Sequence, residues 1–387
     1  MALIAAVVGI VGCVVALLID GPNVFYQSYL FAYVCWIALT LGCFGLLLMH
    51  NVVRAFWSRP LLRVFEAGGG PGMLTMMAVL LIPIVLAIVQ HRLFPWADPV
   101  QVQASETLRM RSGYLNLPMF LLRAVVYFAI WIGWSTILTR HSRRQDQTQD
   151  LRLADARSNW AAPGLVLFVL ATTFCMTDWV MSLDAQWYST IWGLYFAISE
   201  LLVGLAFATL TGTLLRSYPP FTQIVTPKWT RDMGNLLLTF TMLWAYMALS
   251  QFLIIWSGNL PEENEFYLRR YTGGLWWMGT LIVVFQFFVP FLALLSNRTK
   301  RLPNLLTTVA ACILLARLCD IYWIVIPMFR LPGLHLRLGD FAVFLAIGGL
   351  WYWRFVERWR RYPLVAEHGP LTGKEETTHG TSTRPAV

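Results

Sequence analysis

The chain has 387 residues, of which 58% are hydrophobic and only 13% charged, and it carries a formal net charge of +9. A water-soluble surface could not hide that much apolar side chain, so the composition excludes a soluble globular protein and indicates an integral membrane protein. The positive charge is distributed over many connections rather than gathered in one patch, which excludes a nucleic-acid-binding face.

Ten apolar runs follow one another, approximately 2–19, 29–50, 73–90, 118–139, 161–183, 188–215, 234–258, 273–296, 303–328 and 339–356. Each is long enough to cross about 30 Å of hydrocarbon as a helix. The expected fold class is therefore an all-α polytopic membrane protein, because lipid offers no partners to unpaired backbone groups. Residues 1–362 form the transmembrane domain, and 363–387 form a polar cytoplasmic tail, poor in aliphatic residues and expected to be disordered.

The first run, "MALIAAVVGIVGCVVALLID", lacks the basic segment of a secretory signal and reads as a retained span. "GGGPG" at 68–72 lacks the Lys-Ser/Thr of a phosphate loop and reads as a flexible turn. Alternate connections hold 20 Lys and Arg residues on one side and 7 on the other, with Arg123 and Arg317 inside spans. The basic-rich side is expected to be cytoplasmic and to hold both termini, which also requires an even number of spans.

No catalytic motif is present: nucleophile elbows, P-loops, dinucleotide fingerprints and H-E-x-x-H pairs are all missing. The six cysteines fall inside apolar runs without C-x-x-C spacing and read as packing residues. His50 and His91 lie near spans but at opposite faces, so they do not form a b-type haem pair. No catalytic residue, metal or cofactor is therefore expected in this chain.

Ionisable side chains inside spans are costly unless paired or hydrated, which makes each one a functional candidate. In "FCMTDWVMSLDAQWYSTIWGLYFAISE", residues 174–200, two spans meet at a short turn. Asp178 lies about 8 Å below the external end of its span. Arg123, at matching depth on the preceding antiparallel span, is its natural partner, and a purely structural ion pair is the plain alternative. Glu200 lies about 18 Å deep with no neutralising charge in its own span. It is a candidate for proton exchange, against the alternative of a protonated acid hydrogen-bonded to a neighbouring helix. Trp179, Trp187, Tyr188 and Trp192 read as an external interface belt.

Further along, Ser250 and Gln251 are uncharged groups of the outer half, read either as interhelical glue or as relays. Arg317 and Asp320 share one helix face and can pair. Asp340 opens the last span and is expected to cap it. Together these eight side chains outline a polar half-path from outside to mid-membrane, with only Thr172, Thr173, Thr209 and Thr211 towards the cytoplasm.

Two stretches carry a family resemblance. The D-W-x-x-S-L-x-x-x-W-Y-S-T pattern stands at Asp178, Trp179, Ser182, Leu183, Trp187, Tyr188, Ser189 and Thr190, and "WAYMALSQFLIIWSGNLPEE" runs from Trp244 to Glu263. In these the sequence resembles the ActF family, the second NrfD/PsrC-like membrane subunit of bacterial alternative complex III, a quinol:electron-acceptor oxidoreductase. The resemblance is strongest over spans five to nine. It implies two four-helix bundles, spans 2–5 and 6–9, flanked by spans 1 and 10, in a bacterial cytoplasmic (inner) membrane. It implies as partners an NrfD-like sister subunit holding the main quinol site, a multihaem cytochrome c, an iron–sulfur/molybdopterin-like subunit, a monohaem cytochrome and small membrane subunits. Haem c and iron–sulfur clusters would belong to those partners, and menaquinol or ubiquinol would be the substrate of the complex. This chain would anchor redox subunits and take part in proton translocation.

Two other readings compete: the quinol-binding NrfD/PsrC-type subunit of a molybdopterin-type complex, with a pocket around Asp178, Ser250 and Gln251, and a secondary transporter. The second usually carries internal repeats, and none is evident.

Overall fold

The computed structural model describes residues 2–54, 56–150, 152–184, 186–330 and 333–366. Among them every regular element is helical. Eight helices are long and apolar enough to cross a membrane: α1 (Ala2–Val53), α2 (Phe56–Val89), α3 (Leu117–Thr148), α4 (Arg152–Leu183), α5 (Trp192–Leu214), α6 (Pro227–Gly258), α7 (Trp276–Leu295) and α8 (Pro303–Met328). A further helix, α9 (Leu338–Arg360), is the last among the described residues. This is the architecture of a polytopic membrane protein. Leu18, Leu122, Val125, Ile254 and Leu315 stand more than half exposed on outward faces, as lipid-facing side chains do.

The helix ends follow local chemistry. Asn116 accepts from the backbone of Met119 at 2.9 Å before α3, and Thr226 accepts from that of Trp229 at 3.2 Å before α6. Each satisfies an otherwise orphaned first-turn N–H. At the C-terminal ends of these two helices, Gln149 and Asn259 take left-handed conformations with φ of 54° and 48°.

Helix α1 is two helices. Gly21, at φ 77° and ψ 167°, lies outside helical space, where a Cβ would be strained. The contacts with α9 give the direction of each segment. Gly9 approaches Ala346 and Ala6 approaches Gly349, whereas Ser28 meets Gly339 and Trp36 meets Gly348. Residues 2–20 thus run antiparallel to α9 and residues 22–53 parallel to it, so the chain reverses around Gly21. Small residues line the first of these seams and let the backbones close up, the usual means of helix association in lipid.

The 22–53 segment also packs on α4 and α5, and α3 packs on α2 and α4. Helix α5 packs against α4, α6 and α8 as well, and α7 lies against α6 and α8. The most enclosed helix is therefore α5, which joins the two groups. Between α6 and α7 the short helix Pro261–Thr272 carries Arg270, counted in the sequence as a loop charge and in fact buried. It donates to the carbonyls of Trp323 at 2.8 Å and Ile324 at 2.7 Å. A cation there answers the orphaned carbonyls and negative dipole end of α8.

Two expectations need correction. The turn after Asp178 is longer than it reads, because the α-helical part of α4 stops at Trp179, a 3-10 turn spans Met181–Leu183, and α5 begins only at Trp192. The tail does not leave the bundle at Pro363: Val365 and Ala366 are buried against it. The rest of the expected disordered tail, 367–387, lies outside the described residues.

Candidate functional site

Glu200 sits on the most enclosed helix at the junction with α1 and is fully buried. Its backbone carbonyl abuts Gly42, where a Cβ would meet the oxygen at 1.9 Å. Gly204, one turn on, faces the same glycine. The glycines therefore set the helix spacing that buries Glu200. Glu200 lies eight residues beyond the first residue of α5, about 12 Å along the helix. Neither carboxyl oxygen has a hydrogen-bond partner among the described residues. The alternative of an acid bonded to a neighbouring helix is thus not what the structure contains.

The nearest built polar cluster is on α8. Arg317 pairs with Asp320 one turn away. Tyr195 of α5 donates to Asp320 at 2.7 Å and accepts from Arg317 at 3.2 Å. All three are buried, and the Arg317 guanidinium also lies over the Phe196 ring at 5.0 Å. Two of its nitrogens, Nε and Nη2, are buried without partners. Glu200 lies within electrostatic reach of this guanidinium. One fixed cation thus serves two buried carboxyls, one bonded to it and one not. With both acids ionised the set carries one negative charge, and with Glu200 protonated it is neutral.

Asp178 belongs to a separate set on α3 and α4. Arg123 grips it with two bonds, Nε at 2.9 Å and Nη2 at 3.0 Å, and Tyr127 donates to it at 2.8 Å. Arg123 also donates to the Tyr114 carbonyl at 2.8 Å and stacks on that ring at 3.7 Å. Every strong group is engaged, so this is a helix lock with no spare capacity. Cys175, one turn before Asp178, lies within electrostatic range of both Asp178 and Glu200.

Asp340 belongs to a third set. It accepts from Arg330 at 2.9 Å and from Ser28 at 2.6 Å, and caps its own helix through the Arg337 backbone at 2.9 Å. The expected cap is present, and it doubles as a clamp between α9 and α1. Gln251 is buried and accepts from Ser189 at 3.3 Å. Its neighbour Ser250 is half-buried on a different side of α6, and neither joins Asp178. The single half-path read from the sequence is therefore three separate clusters. Arg123 comes together with Asp178, and Arg317 with Asp320, and Tyr195 ties the second pair to α5, the helix that carries Glu200.

Sequence reasoning missed Tyr195, whose hydroxyl is invisible to a charge count, and Ser28 and Arg330, which complete the Asp340 clamp. It also missed Gln286, fully buried in the π-helical turn Val283–Phe288 of α7 with both amide atoms unpartnered among the described residues. The π turn is the signal a sequence cannot carry. The aromatic belt needs correcting too. Trp179, Trp187 and Trp192 are buried, and only Tyr188 is well exposed. Trp187 stacks on Phe266 at 4.5 Å and meets Trp192 edge-on at 5.0 Å, forming an aromatic cluster at the N-terminal end of α5. Among the described residues no three His, Cys, Asp or Glu side chains gather as a metal site. No protein-family model and no curated protein matches the chain.

Proposed function

We propose that the chain is a cofactor-free membrane subunit of a respiratory or photosynthetic quinol:electron-acceptor oxidoreductase of the alternative complex III type, similar to ActF. It anchors the redox subunits and moves protons through Glu200. The motifs around Asp178 and Trp244 support the family. The reversal at Gly21 and the 23 residues of α9 support ten spans rather than eight, with 22–53 and α2 to α4 as one four-helix group and α5 to α8 as the other. Both termini then lie in the cytoplasm, as the basic connections require.

The observation that carries the functional part is Glu200 itself, buried with both carboxyl oxygens unpartnered among the described residues, on the helix whose Tyr195 bonds the Arg317–Asp320 pair. A purely structural acid at that depth would have a fixed donor, as Asp178 and Asp340 do. In this reading quinol gives up two electrons and two protons at the sister subunit, and the electrons leave through the cytochromes and iron–sulfur clusters of the partners. Glu200 takes part in the linked proton movement by gaining and losing one proton beside Arg317, with Tyr195 and Asp320 fixing the guanidinium.

Affinity purification of the tagged chain from its native membrane tests the assignment. Co-purification with a multihaem cytochrome c, an iron–sulfur subunit and a second polytopic subunit is expected. Recovery of a lone polypeptide that moves a solute would overturn it.

A further inference from the structure

The basic-rich end of the bundle holds a recess far in sequence from Glu200. Arg63 and Glu66 of α2, Arg143 of α3, Arg358 and Trp359 of α9 and Tyr362 line a shallow recess that opens to the surface.

Its charges are unevenly matched. Arg63 is committed to Glu66 and Asp146, with Ser142 at 3.3 Å. Arg157 lies within electrostatic reach of the same two carboxylates. Arg143 and Arg358 are electrostatic neighbours, and neither forms an ion pair among the described residues. The nearby Glu357 is already held by Arg354 and Arg361. Three arginines thus line the recess beside one acid, Glu66. The Nε groups of Arg143 and Arg358 and the Nε1 of Trp359 are buried donors without partners. Arg143 is fixed against the Tyr362 ring, 4.0 Å from its centroid. Arg358 lies over Gly72, where a Cβ would come within 2.7 Å of its Nη2, so the glycine makes room for the guanidinium.

The position points to the occupant. Arg63 lies at the opening of α2, and Arg143 and Arg358 lie at the closing ends of α3 and α9, each just beyond an apolar run. The recess is therefore at the depth where lipid headgroups begin. We infer that it binds the phosphate of an anionic phospholipid headgroup, with Arg143 and Arg358 as the paired donors. A phosphate diester supplies the missing negative charge and acceptor oxygens that suit guanidinium forks. A zwitterionic headgroup brings its own cation into the same basic surroundings and fits less well. The inference rests on the membrane architecture and not on the redox reading.

Native mass spectrometry of the delipidated full-length protein, titrated with phosphatidylglycerol or phosphatidylcholine, tests this. Phosphatidylglycerol is expected to bind at least about tenfold more tightly, a free-energy difference of about 1.4 kcal/mol. R143Q/R358Q should abolish the preference, whereas R143K/R358K should retain part of it. If the glutamine pair fails to fold, Gly72→Ala keeps both charges while displacing the Arg358 fork, and should lower the preference by itself. Equal binding of the two lipids to the wild-type protein would overturn the proposal, as would an undiminished preference in both R143Q/R358Q and Gly72→Ala. Displacement of phosphatidylglycerol by millimolar inorganic phosphate would overturn the lipid as the source of the phosphate.

Discussion

The carbonyl oxygen of Glu200 and the Cα of Gly42 touch across the α1–α5 crossing so closely that any side chain at residue 42 would occupy the space of that oxygen. The most buried acid of the α5 junction is therefore positioned by a residue that has no chemistry of its own. Gly42→Ala should force the helices apart and lower stability by about 1–3 kcal/mol, the usual cost of overpacking. Gly133→Ala is the matched control, since a Cβ there meets nothing within 4 Å. Thermal unfolding in detergent should separate the two, and equal melting temperatures would show that the crossing is not tight.

Arg123 and Asp178 form a bidentate pair, so removing one partner strands the other. Arg123→Leu should cost about 3 kcal/mol or more, because Asp178 would remain buried and uncompensated. Adding Asp178→Asn should recover part of that loss, since asparagine can still accept from Tyr127. A double-mutant cycle on thermal stability is expected to give a coupling of roughly 1 kcal/mol or more. Additive effects would dissolve the pair as an energetic unit.

Tyr195 bridges the two halves of the Arg317–Asp320 pair from a different helix. Tyr195→Phe removes both bonds while keeping the ring that packs on Trp192 at 5.7 Å. Hydrogen bonds to charged groups are worth about 1.5–3 kcal/mol, and a loss of that size is expected. Proton movement in the assembled complex should also fall, because the guanidinium beside Glu200 is no longer fixed. A variant as stable and as coupled as the wild type would show that the hydroxyl is incidental.

What the sequence discloses depends on the kind of information each feature needs. Arg123 and Asp178 are legible as partners because depth follows from span boundaries and antiparallel order, and both can be counted. Asp340 is legible as a cap because capping is local. Its clamp with Arg330 and Ser28 is not, since that depends on how α9 lies against α1. Arg63 and Glu66 read as loop residues because they fall between two apolar runs, yet they are buried and paired with each other. The tryptophans around residue 187 read as an interface belt because composition cannot distinguish a ring facing lipid from one facing Phe266. Tyr195 and Gln286 are hidden for a similar reason: their roles come from helix register, and in Gln286 from a π turn. The all-helical polytopic architecture is plain from the runs themselves, since nothing else satisfies backbone groups in lipid.

The central claim is that Glu200 moves protons in a quinol-oxidising complex, and the proton-to-electron ratio of that complex tests it most directly. The complex would be reconstituted in vesicles with a quinol donor and a soluble acceptor, and pH changes followed per electron transferred. Glu200→Gln keeps the shape and burial of the side chain while removing its titration. The account predicts an assembled complex with intact partner stoichiometry, continued quinol oxidation and a lower number of protons moved per electron than the wild type. An unchanged ratio in the assembled Glu200→Gln complex would contradict it and leave Glu200 as a buried structural acid.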